Sequence, residues 1–260
     1  MGIASRRQAC WGRWVALALA LATSGASSSA QAETLTIATL APRKSAWGKV
    51  FGAWSKALKK KTGGKLLLSF YWNGAQGDDG TVVGKLRSGQ IDGATLGAAG
   101  LGEIHRPALA LQLPGLFTTW ESIDRATAAL YPELRDAFAD KGFYLSSIGD
   151  VGRGRTFSKG KAIRSPADLV GMKPAAPRDN VVAPVLASVL GATPVRVGFA
   201  EILPALSAGR INMITVPALA ADQLQWAPFF DHIGTDVVGI GIGAMVLSKK
   251  SIDALPADVV

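Results

Sequence analysis

The chain has 260 residues, of which 48% are hydrophobic and 18% are charged, and its formal net charge is +9. A chain of this size and composition can bury a substantial apolar core, which excludes a disordered tail protein and fits two small α/β lobes. The chain contains one cysteine, Cys10, and two histidines, His105 and His232.

The first 32 residues have the order of a secretory signal peptide. Three arginines precede an apolar run at 14–23, and a stretch of small residues then ends Ala30-Gln31-Ala32. The apolar run is too short for the ~20 residues that cross a bilayer, so a transmembrane anchor is the weaker interpretation. We therefore predict export to the periplasm with cleavage after Ala32. Cleavage would remove Cys10 and lower the net charge from +9 to +6, which leaves no thiol in the exported chain.

Apolar residues recur at alternating and at helical spacing along the remaining chain, which predicts an alternation of strands and helices. The predicted strands cover 34–39, 66–71, 91–96, 143–148, 194–197, 211–216 and 237–248. The predicted helices cover 47–62, capped by Ser45, and 79–87, 119–130, 132–141, 180–190, 200–208 and 218–226. Regular alternation favours an α/β fold built on parallel strands.

One seven-residue pattern occurs twice. Residues 86–92 and 206–212 both have the form L-x-x-G-x-I-[D/N], in which a helix ends at a glycine and turns at once into a buried strand. The carboxyl ends of such strands face the ligand crevice in open α/β sheets. The repeated pattern predicts two related halves of the protein that face each other across a cleft.

No pattern of catalytic or metal-binding residues emerges. Neither histidine has a second ligand at zinc spacing, there is no G-x-S-x-G motif, and Asp78-Asp79 is best interpreted as a helix cap. The run at 239–244 fits G-x-G-x-x-A, but a strand continues after it where a nucleotide site needs a helix. We expect its glycines either to leave a strand that crosses between lobes without side chains, or to allow a neighbouring segment to pack closely. The sequence therefore predicts neither an enzyme nor a cofactor.

A cluster of lysines lies near the end of the first predicted helix, at positions 56, 59, 60, 61 and 65. Their simplest interpretation is a solvated face that also favours the helix C-terminus. A nucleic-acid partner is not expected, because the cluster lacks interleaved aromatic residues and the predicted location is periplasmic.

Four blocks together resemble the DctP family of periplasmic solute receptors of tripartite (TRAP) transporters. They are Tyr71-x-x-Gly74-x-Gln76-Gly77-Asp78-Asp79 with the first L-x-x-G-x-I-D, Ile163-x-Ser165-Pro166-x-Asp168-Leu169-x-Gly171-Met172-Lys173, Leu190-Gly191-Ala192-x-Pro194, and Phe199-x-Glu201-Ile202-x-x-Ala205-Leu206-x-x-Gly209. The blocks keep the family's order across residues 35–255.

The resemblance implies a fold like that of type II periplasmic binding proteins, with two lobes, hinge strands and a cleft that closes on a small ligand. We expect lobe 1 to comprise 33–150 with a returning strand at 237–260, and lobe 2 to comprise 151–236. The expected partners are a small molecule and the TRAP membrane permease, with the receptor acting as a monomer. The resemblance also implies C-terminal helices beyond residue 260. Alternatives are a sensor or a carrier of hydrophobic molecules without a permease and, less favoured, an exported enzyme.

The departures from the family pattern concern the ligand. Ala175 stands where typical members have a carboxylate-binding arginine, Val216 stands at the place of a ligand-touching asparagine, and Gly97 replaces a frequent polar residue. Since a bidentate arginine fixes a carboxylate, its loss predicts a neutral or apolar ligand, unless another arginine substitutes. The resulting candidate ligand-binding residues are Trp47, Trp72, Ala98, Arg153, Arg155, Ala175, Arg178, Phe199, Val216, Gln225 and Trp226.

Overall fold

The computed structural model describes residues 32–176, 182–257 and Val259. Its strands are β1 (Glu33–Ala38), β2 (Leu66–Tyr71), β3 (Gly93–Leu96), β4 (Phe143–Ser158), β5 (Ala175–Ala176), β6 (Val195–Arg196), β7 (Met213–Pro217), β8 (His232–Ile233) and β9 (Gly239–Ser248). Its helices are α1 (Ala46–Lys61), α2 (Asp79–Ser88), α3 (Ala98–Ile104), α4 (Trp120–Ala139), α5 (Val182–Ser188), α6 (Ile202–Ser207), α7 (Ala218–Gln223) and α8 (Lys249–Asp253). Short 3₁₀ helices cover Arg106–Gln112, Pro166–Leu169, Phe199–Glu201 and Ala227–Phe229.

Seven strands form one mixed sheet in the order β2-β1-β3-β9-β4-β7, with β8 also paired to β4. β1 runs parallel to β2 and β3, whereas β9 runs antiparallel to β3 and β4, and β7 runs antiparallel to β4. The α/β class is confirmed, but the prediction of a parallel sheet is wrong for the half formed by β9, β4 and β7. An apolar run shows that a strand is buried and does not show which way it runs.

The chain around residue 132 departs from the prediction. Two helices at 119–130 and 132–141 were expected, and one 20-residue helix, α4, runs through Pro132. Proline in a helix removes one hydrogen bond to the preceding turn. Pro132 is exposed, so water can reach this turn, while Ile123, Leu134 and Phe138 hold the opposite face of α4 in the core.

Strand β4 is also longer than predicted, 16 residues instead of six. Its second half is rich in glycine and charged residues, which local propensity does not assign to a strand. It is extended because β9 pairs with residues 143–154, β7 with 154–158 and β8 with 157–158. Tertiary pairing therefore overrides local composition here.

Two large apolar clusters lie on different parts of β4. The first apolar cluster contains the beginning of β4, Phe143 and Leu145, together with residues of α2, β3, α4 and β9. The second apolar cluster contains the end of β4, Phe157, together with residues of α6, β7, α7 and the following loop. Smaller clusters lie beneath α1 and around Leu169 and Met172.

The repeated sequence pattern has the same hydrogen bonds in both copies. At the helix end, Gly89 and Gly209 have positive φ values, 73° and 64°. The following residues donate alike, with Gln90 N–H bonding Lys85 O and Arg210 N–H bonding Ala205 O. This arrangement is a glycine-terminated helix end that feeds directly into the next strand.

The last residue of each copy then joins its strand to an earlier segment of the chain. The Asp92 carboxylate accepts from Thr36 N–H at 2.8 Å, and the Asn212 amide oxygen accepts from Lys173 N–H at 2.7 Å. The backbone N–H groups of Asp92 and Asn212 donate back to the carbonyls of the same two residues. The predicted turn from a helix through a glycine into a strand is confirmed in both copies. That the two copies face each other across a cleft stays a prediction.

Two glycines of α1 allow a matched test of this packing. A Cβ on Gly48 would lie 2.2 Å from the carbonyl oxygen of Arg43, whereas a Cβ on Gly52 would have nothing within 4 Å. We expect Gly48→Ala to lower the free energy of unfolding by about 1–3 kcal/mol, because the backbone must move. Gly52→Ala should raise it by about 0.5–1 kcal/mol, because alanine is the better helix former. Urea unfolding measures both; equal midpoints for the two variants would contradict the close approach at Gly48.

Candidate functional site

The carboxyl ends of β1 and β3 meet at a polar corner. Thr39 follows β1 and is buried, and its hydroxyl accepts from the Thr95 hydroxyl at 2.7 Å and from Ala41 N–H at 3.1 Å. Beside it lies a cavity of about 10 Å³, close to the smallest space that holds one water molecule. The cavity is lined by Ala38, Thr39, Leu40, Gly74, Gln76, Gly77, Asp79, Val82 and Thr95.

A carboxylate supports one wall of this corner. Asp78 caps α2 by accepting from Thr81 N–H, which confirms the predicted cap, but Asp79 has another role. Its Oδ2 accepts from Gly97 N–H and Gly100 N–H, both at 3.1 Å, at the start of α3. Burial raises the pKa of Asp79 above its usual value, against the lowering effect of these two hydrogen bonds. Asp79 therefore fixes the end of β3 to α2.

Two loops from distant parts of the chain approach each other beside this corner. A Cβ on Gly74, in the loop after β2, would lie 3.5 Å from the Cβ of Ala200. A Cβ on Gly198 would lie 3.0 Å from Asp78 Oδ2. In addition, the Ala46 N–H at the start of α1 donates to the side-chain oxygen of Gln223 in α7 at 2.9 Å. The first and second halves of the sequence are thus in contact on this side of the sheet.

The glycines of β9 lie in the last part of the β4–β9 pairing, which ends at Gly154 and Gly239, and Pro217 at the end of β7 packs beside them. A Cβ on Gly152 would lie 2.9 Å from Pro217 Cβ, and a Cβ on Gly241 would lie 3.0 Å from Pro217 Cγ. Gly152 also has φ +147°, a conformation that disfavours other residues. The predicted close packing of a β9 glycine is confirmed at Gly241.

Four of the candidate ligand-binding residues fall in one apolar group. Trp226 belongs to the second apolar cluster and is 2% exposed, and Ala175, Phe199 and Val216 pack against that cluster while remaining half-buried. The rings of Phe199 and Trp226 lie 4.8 Å apart. Trp226 therefore lies behind Phe199 in this structure and does not form an exposed rim.

The candidate arginines have different surroundings. Arg155 is half-buried on β4, and its guanidinium donates to the carbonyl oxygens of Gly234 and Thr235. Arg153 is exposed, with its guanidinium 5.4 Å from the ring centre of Trp120. Arg178 lies outside the described residues. Both described arginines thus interact with the protein itself.

The remaining candidates are spread over several elements. Trp47 is half-buried in the first turn of α1, next to the Ala46–Gln223 contact, and Ala98 is half-buried at the start of α3. Trp72 stacks on Phe70 at 4.9 Å, in a row of rings between α1 and β2. Gln225 is exposed with φ 60°.

Thr39, Thr95 and Gln223 were not singled out from the sequence, and Gln76 and Asp79 were named there only within a family block and a helix cap. Thr39 and Thr95 lie at strand carboxyl ends, so the general rule for open α/β sheets was the available signal. Gln76 is positioned by Lys85, whose ammonium donates to the Gln76 carbonyl at 2.9 Å and to its side-chain oxygen at 2.7 Å. No local sequence pattern predicts the contacts between Lys85 and Gln76.

A second, larger groove lies between α4 and β4 and involves none of the candidate residues. Its volume is about 490 Å³, and it is lined by residues 124–132 of α4 and 146–150 of β4. Asp124 and Asp150 are among the residues that line it, and burial together with the nearby Asp124 raises the pKa of Asp150. Among the described residues, no group of three or more His, Cys, Asp or Glu side chains could hold a metal ion. Within the same residues, no helix has the length and apolarity required to cross a membrane.

Substitutions at Asp79 test its role in the corner. Asp79→Ala leaves the N–H groups of Gly97 and Gly100 without their acceptor and should lower the free energy of unfolding by about 1–3 kcal/mol at any pH. Asp79→Asn keeps an acceptor and removes the buried charge, so it should be tolerated.

The pH dependence of folding stability tests whether the pKa of Asp79 is raised in the folded protein. Because the folded-state pKa of Asp79 is raised, the wild type gains stability as the pH falls through that pKa towards 3.8. The Asp79→Asn variant lacks this gain, so its stability relative to the wild type should be greatest at neutral pH and should decline on acidification. Urea unfolding across pH measures this, with exposed Asp236→Asn as the control. A relative stability that rises on acidification would contradict a raised pKa.

Comparison with known proteins identifies the family. The sequence matches the family model DctP, bacterial extracellular solute-binding protein family 7, over residues 37–259. A solute-binding protein of Roseobacter denitrificans is 28% identical over 185 residues, which are 70% of this chain and 56% of that protein. Another, of Chromohalobacter salexigens, is 26% identical over 70% of this chain and 54% of that protein. The chain thus spans about half the length of these curated relatives.

Solved structures share the fold. A TRAP periplasmic solute-binding protein of Sulfitobacter sp. NAS-14.1 with bound β-D-galacturonate has a TM-score of 0.80 and 17% identity, over 87% of this chain and 76% of that one. The sugar acid binding protein DctPAm of Advenella mimigardefordensis, in complex with galactonate, has a TM-score of 0.79 and 20% identity, over 88% and 74%. A Sulfurospirillum deleyianum protein with bound succinate has a TM-score of 0.80 and 20% identity, over 88% and 74%. The fold and the family match together establish that this chain belongs to the DctP family of extracellular solute-binding proteins, and not to a family of enzymes.

Proposed function

We propose that the protein is the periplasmic receptor of a TRAP transporter, which captures a small solute between two lobes and delivers it, as a monomer, to a membrane permease. The observation that carries the proposal is the approach of two loops from opposite halves of the sequence, where Gly74 lies beside Ala200 and Gly198 beside Asp78. Family membership favours this function over a sensor or a carrier without a permease.

The proposed lobes are 33–150 with 237–260, and 151–236. The two large apolar clusters support this division. Every residue of the first cluster falls in 38–145 or 240–246, and every residue of the second falls in 157–226. β4 contributes to both clusters, as a strand that crosses a hinge would do.

We propose further that the ligand is neutral or apolar. Ala175 and Val216 pack with Phe199 against an apolar cluster, and Nη1 of Arg155 donates to two backbone carbonyl groups. Walls of this kind suit a ligand without a carboxylate. The solved relatives carry galacturonate, galactonate and succinate, which are acids, so the two chemistries must be distinguished by experiment. The proposed contacts are Trp47, Ala98, Ala175, Phe199 and Val216, with Trp72, Gln225 and Trp226 around them.

Calorimetric titration should show no saturable binding of succinate, galacturonate or galactonate, whereas a fluorescent apolar probe should bind. Ala175→Arg should weaken probe binding by roughly tenfold or more, because burying an unpaired guanidinium costs several kcal/mol. Ala53→Arg, which adds the same charge on the exposed face of α1, is the matched control. Saturable binding of an acid that is lost in Arg155→Ala or Arg178→Ala would overturn the neutral ligand and leave the receptor function standing.

Export and ligand capture can be tested on the same sample. We propose that residues 1–32 are removed as a signal peptide, since the first strand begins at Glu33, directly after the predicted cleavage point. Native mass spectrometry of protein recovered from the periplasm should give the mass of a chain that begins at Glu33, plus a small molecule that is released on denaturation. A mass that retains Cys10 would contradict cleavage. A ligand-free mass, with no thermal stabilisation by a library of small solutes, would contradict the receptor function.

A further inference from the structure

Positive charge is concentrated in one segment of the chain, residues 34–77. This segment contains eight basic residues and no acidic residue, whereas the rest of 33–260 contains 17 basic and 19 acidic residues. The segment forms α1, β2 and all of β1 except its first residue, the acidic Glu33, and β2 is an edge strand of the sheet. The whole positive excess of residues 33–260 therefore lies at one end of the fold. The basic residues are Arg43, Lys44, Lys49, Lys56, Lys59, Lys60, Lys61 and Lys65.

Helix α1 presents most of this charge to solvent on one side. Lys49, Lys56 and Lys60 are exposed and, at 100° per residue, fall within about 40° of one another around the helix. Exposed Lys59 and Lys61 follow in the last turn of the helix, and we call these five residues the lysine face. The opposite side of α1 is anchored, because Trp54 and Leu58 pack against the apolar cluster below the helix. The lysine face is thus held in a fixed orientation.

The lysine face is not neutralised by the rest of the described chain. None of the ion pairs among the described residues involves any of its five lysines. The helix dipole accounts for Lys59, Lys60 and Lys61 in the last turn, but Lys49 lies in the first turns, where positive charge is unfavourable. Helix stability therefore does not explain the pattern.

We propose that the lysine face binds the exported protein to an anionic phospholipid surface. Lysines near such a surface contribute about 1 kcal/mol each, without needing a defined partner geometry. A protein partner is less suited, because protein interfaces favour arginine and aromatic residues over lysine. The exposed side of α1 has no arginine or aromatic residue, and its one exposed large apolar residue is Val50, at 63%. Between the lysines lie Ala53 and Ala57, which let the helix lie flat.

Vesicle binding tests the proposal with protein recovered from the periplasm. At low salt, the wild type should co-sediment with vesicles of 30% phosphatidylglycerol in phosphatidylcholine (~ one anionic lipid in three) and not with phosphatidylcholine alone. Lys49→Gln/Lys56→Gln/Lys60→Gln should lower the partition coefficient by roughly 10- to 100-fold. The matched control is Lys141→Gln/Lys159→Gln/Lys250→Gln, which removes the same charge from exposed lysines elsewhere and should change partitioning less than about twofold.

Three results would overturn the proposal: no binding to anionic vesicles, equal binding to neutral vesicles, or an equal loss in both triple variants. Binding by the wild type should also disappear in about 1 M salt, where charges are screened within roughly 3 Å. Circular dichroism and urea midpoints verify that both variants are folded. The proposal rests on export and not on the ligand or the permease, so its failure is distinguishable from failure of the receptor function.

Discussion

The antiparallel pairing of β4 with β9 is the constraint on which the rest of the fold depends. β4 pairs with β9 over residues 143–154, and the register shifts between Leu145 and Ser147 and again between Asp150 and Gly152. Each extra residue moves the following side chains to the other face of the strand. Two shifts in succession restore the original alternation, so Phe143 and Phe157 can each face the core of their own half. One continuous strand thereby serves two apolar clusters.

The parts of the fold that sequence predicted well are those set by a few adjacent residues. The repeated pattern at 86–92 and 206–212 was informative because a glycine with positive φ, followed by an Asp or Asn six residues after the leucine, encodes one local set of hydrogen bonds. The family-like block at 163–173 is similar in kind. There Asp168 accepts from the N–H groups of Arg164 and Ser165, which lowers the pKa of its carboxyl group. Such blocks identify the family through its turns and caps.

The failures share a different physical cause. The direction of β9, the second half of β4 and the continuity of α4 through Pro132 are all decided by segments far away in sequence. The candidate site depends even more on such contacts. Thr39 and Thr95 meet because β1 and β3 are neighbours in the sheet, and Asp79 reaches Gly97 and Gly100 because α2 lies beside α3. Local patterns identified the scaffold, whereas long-range packing assembled the corner.

The approach of the two halves depends on missing side chains as much as on those present. Gly74 faces Ala200 and Gly198 faces Asp78, and a Cβ at Gly198 would already lie 3.0 Å from a carboxylate oxygen. Larger residues at these two glycines would therefore hold the loops apart. Glycine has more conformational freedom in the unfolded chain than other residues, so fixing these two positions on folding costs more conformational entropy. The two close approaches thus bring the loop of Gly74, which lines the cavity of the polar corner, next to Ala200, the neighbour of Phe199 in sequence. Thr39, Asp79 and Arg155 each form hydrogen bonds with groups of the protein itself, so the side chains on this side of the two halves also help to hold the loops and strands in place.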